Sequence, residues 1–129
     1  MFTLTEIFSI IIIHFIGDFV LQTDKQAKGK SKNWEDLLLH TLTYSLVWIG
    51  IGFIWMLFDI KNASNIAGMV LWFFPITFIA HTITDYFTSR LNSKLWAKGQ
   101  THNFFVSVGF DQILHYIQLF LTYYFLVKI

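Results

Sequence analysis

The chain has 129 residues, of which 55% are hydrophobic, 19% aromatic and 13% charged, with a net charge of +1 and a mean hydropathy of +0.56. Soluble domains carry about 25% charged residues, so this composition excludes an ordinary soluble enzyme and a disordered segment. The small net charge gives no basic surface for nucleic acid, and the lack of cysteine excludes disulfides and thiolate metal sites. The composition therefore predicts an integral membrane protein.

Four apolar stretches predict membrane-spanning helices at about 3–21, 37–58, 64–88 and 104–127. Each has about the 20 mostly apolar residues that a spanning helix needs. The first stretch lacks the basic start and the cleavage site of a secretory signal, so we expect it in the mature protein. The fold class predicted is all-α: one domain over residues 1–129, a polytopic bundle of four transmembrane helices arranged as two hairpins.

The basic residues predict the orientation of this bundle. Seven lie in the first and third loops, namely Lys25, Lys28, Lys30, Lys32, Arg90, Lys94 and Lys98, whereas Lys61 and Lys128 lie on the other side. Because cytoplasmic loops carry an excess of Lys and Arg, we expect both of these loops to be cytoplasmic and both termini outside, in a bacterial inner membrane. The polar segment 22–36 is expected to be an interfacial loop or short helix.

Ionisable residues inside the predicted spans are the main functional signal. They include all five histidines, with His102 just before the fourth span, and the full set is His14, Asp18, His40, His81, Asp85, His102, Asp111 and His115. A charged residue at the centre of a span costs about 2.5–3.5 kcal/mol on insertion scales. Such residues normally face the bundle interior, pair with one another and mark a functional site.

Spacing and depth strengthen this signal. Three His–Asp pairs, at 14/18, 81/85 and 111/115, are each four residues apart, which places both members on one helix face. At about 1.5 Å per residue, seven of the eight residues fall in the cytoplasmic half of the membrane. We therefore expect one layer of His and Asp side chains, shared by all four helices.

The sequence pattern behind this layer occurs twice in the chain. His14 and Asp18 are followed by a basic loop and by His40 at the start of the next span, and His81 and Asp85 are followed by a basic loop and by His102. This pattern predicts a parallel repeat with a pseudo-twofold axis along the membrane normal.

The residue types in the layer favour a metal site. Neutral imidazole and carboxylate are ligands suited to Zn, Mn or Fe, and we expect one or two divalent ions per chain. The predicted metal ligands are His14, Asp18, His81, Asp85, Asp111 and His102. Catalytic proton transfer is assigned to Asp111, His115 and His40, while His40, His102 and His115 remain open as ligands or as groups that orient them. A structural network of His–Asp hydrogen bonds between helices is the alternative.

The runs HFIGDFVLQT, HTLTY, HTITDYFTSR and HNFFVSVGFDQILH resemble an uncharacterised family of bacterial and phage integral membrane proteins, domain of unknown function 3307. The resemblance covers nearly the whole chain and implies a small multi-helix membrane protein without an established activity. The positions that match it are His14, Asp18, Gln22, His40, His81, Asp85, His102, Asp111, Gln112 and His115. A looser similarity, in motif style alone, is to membrane-bound metal-dependent hydrolases.

These observations predict a metal-dependent hydrolase, with zinc as one candidate metal, acting on a lipid or lipid-linked substrate at the cytoplasmic leaflet. Arg90 and the loop lysines are candidates for holding a phosphate headgroup. The expected partners are membrane lipids and a second copy of the chain. The alternatives are a divalent-cation or proton transporter or channel, and a non-catalytic phage or bacterial membrane accessory protein.

Overall fold

The computed structural model describes residues 1–128, and these are almost entirely helical. The elements are α1 (Leu4–Phe15) with a π-helical turn (Ile16–Val20), α2 (Asp24–Gly29), α3 (Trp34–Phe58) with a 3-10 turn (Ile60–Asn62), α4 (Ala63–Ala97), and α5 (Thr101–Tyr123) with a second π-helical turn (Tyr124–Lys128). The all-α prediction is confirmed. The segment predicted as an interfacial loop or short helix contains the short helix α2.

The helices form a ring in which α4 packs between α3 and α5, and α1 with its π-helical turn lies against α3. The ring closes where α1 also contacts α5. Polar side chains join neighbouring helices: the Thr82 hydroxyl of α4 donates to Thr41 Oγ1 of α3 at 2.9 Å, and the Tyr123 hydroxyl of α5 donates to Glu6 Oε1 of α1 at 2.7 Å.

Three helical stretches are long and apolar enough to cross a membrane: Trp34–Phe58, Ile60–Ala97 and Thr101–Lys128. They are consistent with a membrane protein and correspond to the second, third and fourth predicted spans. The first predicted span is built as α1 and the π-helical turn, which have 12 and 5 residues.

α4 is much longer than the predicted 64–88 span. Its 35 residues give a rod of about 52 Å, whereas the hydrocarbon core of a bilayer is about 30 Å thick. Its last turns, which carry Arg90 and Lys94, therefore extend beyond the apolar stretch. Pro75 lies within the helix without ending it, and α4 ends near Gly99, which has a φ of +67°. This left-handed conformation is a common stop signal after a helix and favours glycine.

The interior is polar and the exterior is apolar, the reverse of a soluble domain. Among the described residues, the buried apolar side chains are Ile10, Leu37, Tyr44, Ile66 and Leu119, whereas three times as many buried side chains are polar or charged. Large side chains such as Phe53, Leu71 and Phe125 are more than half exposed. Since water would penalise this surface and lipid would not, the packing agrees with the three membrane-length helices.

Candidate metal centre

The layer of His and Asp predicted from the sequence is assembled in the interior of the ring. Seven of the eight residues are buried: His14 on α1, Asp18 on the π-helical turn, His40 on α3, His81 and Asp85 on α4, and Asp111 and His115 on α5. The predicted inward orientation of these residues is confirmed. In each i, i+4 pair the His Nε2 lies near a carboxylate oxygen, at 3.7 Å for the first pair, 3.6 Å for the second and 3.4 Å for the third.

One group of four residues converges most closely. His40 Nε2 lies 3.0 Å from Asp18 Oδ1 and 3.2 Å from Asp85 Oδ2. His81 Nε2 lies 3.4 and 3.6 Å from the same two oxygen atoms, and the two Nε2 atoms are 3.3 Å apart. We call Asp18, His40, His81 and Asp85 the four-residue group. Their ligand atoms all lie within 4.8 Å of one another, which is a spacing that could hold a metal ion.

A second group is joined to the first through Asp85. His115 Nε2 lies 3.2 Å from Asp85 Oδ1 and 3.4 Å from Asp111 Oδ1. The two oxygen atoms of Asp85 therefore face different partners, with Oδ2 toward the four-residue group and Oδ1 toward His115. Asp85, Asp111 and His115 are also close enough to hold an ion, and we call them the three-residue group.

The orientation of the imidazole rings is set by their neighbours. The His81 ring is stacked between the rings of Tyr44 and His115, with centroids at 4.0 and 4.1 Å. The His40 ring is held differently: the side-chain amide of Gln22 lies 3.0 Å from its Nδ1 atom. Ring stacking at His81 and this polar contact at His40 thus hold the Nε2 atoms of both rings toward the carboxylates.

His14, predicted as a metal ligand, lies outside both groups. Its Nδ1 is 2.8 Å from the Tyr44 hydroxyl, and its Nε2 is 2.8 Å from Gln112 Oε1. The Gln112 amide in turn donates to Asp18 Oδ2 at 3.2 Å and to Asp111 Oδ2 at 3.1 Å. The structure therefore places His14 beside the carboxylates, where it acts through Gln112 on their orientation.

His102, also predicted as a ligand, is exposed in the first turn of α5 and belongs to neither group. Its counterpart in the proposed repeat, His40, is buried in the four-residue group. The two halves of the chain thus share the motif but place these two histidines differently.

The sequence did not distinguish Lys30 as a site residue. Its side chain reaches in from the end of α2, and Nζ lies 2.8 Å from Asp85 Oδ2 and 3.5 Å from His40 Nε2. Burial lowers the pKa of this ammonium, but the carboxylates of Asp85 and Asp18 raise it by more, so the pKa lies above its ordinary value. Lys30 is therefore charged, and it neutralises part of the negative charge of the carboxylates. Four lysines occupy this segment, and their spacing gave no reason to select this one.

Close packing of α2 on the start of α3 positions Lys30. The preceding residue, Gly29, is buried, and a Cβ atom added there would overlap the carboxylate of Asp36. Asp36 also lies 3.5 Å from Lys25 Nζ, and its Oδ2 accepts a hydrogen bond from Asn33 at 2.9 Å. The absence of a side chain at Gly29 thus allows α2 to approach α3 closely enough for Lys30 to reach Asp85.

A cleft of about 620 Å³ leads to the cluster between α2, α4 and α5. Its inner end is formed by Asp18, Asp111 and Gln112, and its outer part includes Lys28 and Trp96. A molecule entering from this side can therefore approach both groups of ligand atoms.

One known protein family matches nearly the whole chain. A model of the family described as "Protein of unknown function (DUF3307)" matches residues 7–129. The chain belongs to this family. The predicted membership of this family is thereby confirmed, whereas the bacterial or phage origin and the similarity to membrane-bound hydrolases stay predictions. No curated protein and no solved structure matches the chain, so its function has to be argued from the cluster itself.

We predict that Lys30→Met destabilises the metal-free protein and strengthens its response to divalent cations. The substitution removes a hydrogen bond to a charged group, worth about 1.5–3 kcal/mol, and leaves Asp85 with one partner fewer. It also removes a positive charge that opposes cation binding. The melting temperature in detergent should fall without metal, and Mn²⁺ should raise it by more than in the wild type.

Lys94→Met is the matched control, because it removes the same charge from an exposed position on the last turns of α4. This substitution should leave the melting temperatures without metal and with Mn²⁺ near those of the wild type. A Lys30→Met protein with unchanged metal-free stability, or with a smaller response to Mn²⁺, would contradict the assignment of Lys30 to the cluster.

Proposed function

We propose that this protein is an integral membrane enzyme that binds one divalent metal ion in the four-residue group and hydrolyses a lipid or lipid-linked substrate at the cytoplasmic leaflet. The observation that carries the proposal is the convergence of four buried ligand atoms from the π-helical turn, α3 and α4. A network that only joins helices needs paired contacts, whereas here two Nε2 atoms face the same two carboxylate oxygens.

The chemistry of the ligand set supports a metal. Two imidazole nitrogens and two carboxylate oxygens suit Zn, Mn or Fe. The two imidazole Nε2 atoms are 3.3 Å apart, and each can carry at most one proton. Hydrogen bonds alone therefore cannot account for every contact that these two atoms make with each other and with the carboxylates. The Lys30 ammonium lies 2.8 Å from Asp85 Oδ2, so an ion bound in this group would share that oxygen atom with Lys30 or displace the ammonium from it.

Charge favours one ion over two. The carboxylates of Asp18, Asp85 and Asp111 carry three negative charges, and Lys30 carries one positive charge. If the imidazoles are neutral, as metal ligation and proton acceptance both require, a single divalent ion would make the buried cluster neutral, and a net charge in a low-dielectric interior is costly. We therefore assign the ion to the four-residue group and a proton-transfer role to Asp111 and His115.

The ion and the side chains around it have separate roles in the reaction. A divalent ion held by the four-residue group would supply a nucleophile at neutral pH, because such an ion lowers the pKa of a water molecule to about 7. His115, between Asp85 and Asp111, is placed to accept the proton and to pass it to the leaving group. His40 faces two carboxylates together with His81, so we assign it as a ligand rather than as the proton carrier.

We further propose that α1 with its π-helical turn forms a fourth crossing, which gives two hairpins with both termini outside. The 17 residues of Leu4–Val20 give a helical rod of about 26 Å, close to the thickness of a bilayer core. α1 also closes the ring and supplies His14, which lies in the same buried layer as the His and Asp side chains of the other helices. The excess of basic residues in the segment 22–33, which includes α2, and in the segment 90–100, which includes the end of α4, supports a cytoplasmic location for both.

A separate cavity in the outer half of the ring argues against the transporter alternative. It has a volume of about 230 Å³ and is lined mostly by apolar side chains, including Trp48, Phe73 and Phe74. A path for protons or divalent cations needs a continuous series of polar groups. The cleft at the cluster is lined by residues from the 18–32 region, the end of α4 and the first half of α5, and none of its lining residues is shared with this cavity, which suits an enzyme better than a channel.

We expect purified wild-type protein to contain about one Zn, Mn or Fe ion per chain, measured by mass spectrometry of the elements. Asp85→Asn and His81→Ala should each lose it, because they remove ligand atoms from the four-residue group. His115→Ala should retain it, and so should His102→Ala, which serves as the control because His102 is exposed. Two ions in the wild type and one in His115→Ala would overturn the one-ion assignment.

We expect the metal-loaded protein to release inorganic phosphate or fatty acid from bacterial polar lipids in mixed micelles. Chelation and Asp85→Asn should abolish the release, and His115→Ala should lower it by about 10²–10⁴-fold while the metal remains bound. His102→Ala should be as active as the wild type. Release that is equal in the wild type and in Asp85→Asn would argue against a hydrolase.

The proposed topology predicts which positions react with a membrane-impermeant maleimide. The chain has no cysteine, so single cysteines report without background. Thr5→Cys and Ser64→Cys should react in intact cells, and Lys28→Cys only after permeabilisation. If Thr5→Cys also needs permeabilisation, α1 does not cross the membrane.

A further inference from the structure

We propose that the cleft between α2, α4 and α5 binds an amphiphile that carries a phosphate monoester, with the phosphate near the lysines of the α2 segment and the apolar part against aromatic side chains of α4 and α5. The inference rests on the proposed function and names the chemical class of its substrate.

The cleft has a polar side that suits an anion. The α2 segment contributes Lys28, Lys30, Ser31 and Lys32 to its lining. Lys30 is engaged with Asp85, whereas Lys28 and Lys32 have no carboxylate partner within 4.0 Å among the described residues. Two ammonium groups at the entrance of a cleft that ends at a candidate metal centre match the charge of a phosphate dianion.

Ser89 gives independent evidence for a polar ligand. It lies one turn beyond Asp85 on the same face of α4, lines the cleft and is only 8% exposed. Its hydroxyl has no hydrogen-bond partner, and the buried Oδ1 of Asn92 in the same lining also has none. Buried polar groups are normally paired, and an unpaired one calls for an explanation. A phosphate oxygen in the cleft would accept the hydrogen bond that the Ser89 hydroxyl can donate.

The other side of the cleft is apolar. Trp96, Phe104, Phe105 and Val108 line it, and the rings of Trp96 and Phe104 meet edge to face with centroids 5.0 Å apart. Trp96 and Phe105 are both more than 60% exposed. Because this surface continues directly from the polar side, the cleft fits a molecule with an anionic head and an apolar tail better than free phosphate.

Arg90, which the sequence suggested as a phosphate ligand, is placed elsewhere. Its guanidinium stacks on the Tyr86 ring at 3.7 Å, and Nη1 donates to the Tyr86 carbonyl oxygen at 2.9 Å. It is not among the residues that line the cleft. The lysines of the α2 segment are therefore the cations assigned to the phosphate.

Calorimetric titration of the metal-loaded protein in detergent tests the inference. The probe is a phosphonate analogue of dihexanoyl phosphatidic acid, in which carbon replaces the ester oxygen so that it cannot be hydrolysed at that bond. Inorganic phosphate and dihexanoyl phosphatidylcholine are the comparison probes. We expect both to bind at least 10-fold more weakly than the phosphonate, the first because it lacks the apolar part and the second because it lacks the phosphate monoester.

Variants then locate the site. Lys28→Gln with Lys32→Gln should weaken phosphonate binding at least 10-fold, whereas Lys94→Gln with Lys98→Gln, which removes the same charge outside the cleft, should change it less than twofold. Ser89→Ala should weaken binding at least threefold without lowering the melting temperature, because its hydroxyl makes no hydrogen bond in the free protein. Equal losses in the two lysine pairs, an unchanged Ser89→Ala, or inorganic phosphate binding as tightly as the phosphonate would overturn the inference.

Metal content, measured for every variant, separates this test from that of the proposed function. Phosphonate binding with the expected dependence on the lysines and Ser89 supports the inference even if the protein hydrolyses nothing. A protein that hydrolyses other lipids but does not bind the phosphonate retains its proposed function and overturns the inference alone.

Discussion

The buried carboxylate of Asp85 contacts one cationic and three imidazole groups, contributed by the end of α2 and by α3, α4 and α5: Lys30 at 2.8 Å, His40 and His115 at 3.2 Å, and His81 at 3.6 Å. A charged carboxylate in a low-dielectric interior is costly unless its lone pairs are filled. α2, α3 and α5 must therefore each hold their register relative to α4, since a displacement of one turn would remove the partner of Asp85 that the displaced helix supplies. Apolar packing alone would not fix the register of helices that lie in an apolar environment.

The ring around Asp85 needs little apolar core. Its exterior carries exposed Phe, Leu, Ile and Trp side chains, and hydroxyls and amides join the helices inside. In a bilayer, the apolar exterior costs nothing, while the interior hydrogen bonds and close packing supply the association between helices. The same arrangement in water would expose a large apolar surface, so the polar interior and the proposed membrane location explain each other.

The sequence predicted the parts of this structure that depend on periodicity. Histidine and aspartate four residues apart on apolar helices had to face inward, and His81, Asp85 and His115 do so. Periodicity could not predict contacts made by residues distant in the chain. Lys30 reaches Asp85 only because Gly29 lets α2 approach α3, and Gln112 bridges two carboxylates only because α1 and α5 meet. The length of α4 was underestimated because hydropathy detects where apolar residues end, whereas the helix continues to the glycine at position 99.

The two halves of the chain share a motif but differ in the segment after it, and this difference creates access to the cluster. After the first His-Asp pair the chain forms α2, which packs on α3 and inserts Lys30, and the next histidine, His40, is buried. After the second pair α4 continues for three more turns to Ala97, and α5 begins with the exposed His102. The first half therefore covers the carboxylates on one side, while the second leaves a cleft that is lined by the α2 segment, the extended end of α4 and the start of α5. The difference between the two segments thus leaves open the cleft through which the proposed substrate would reach the cluster.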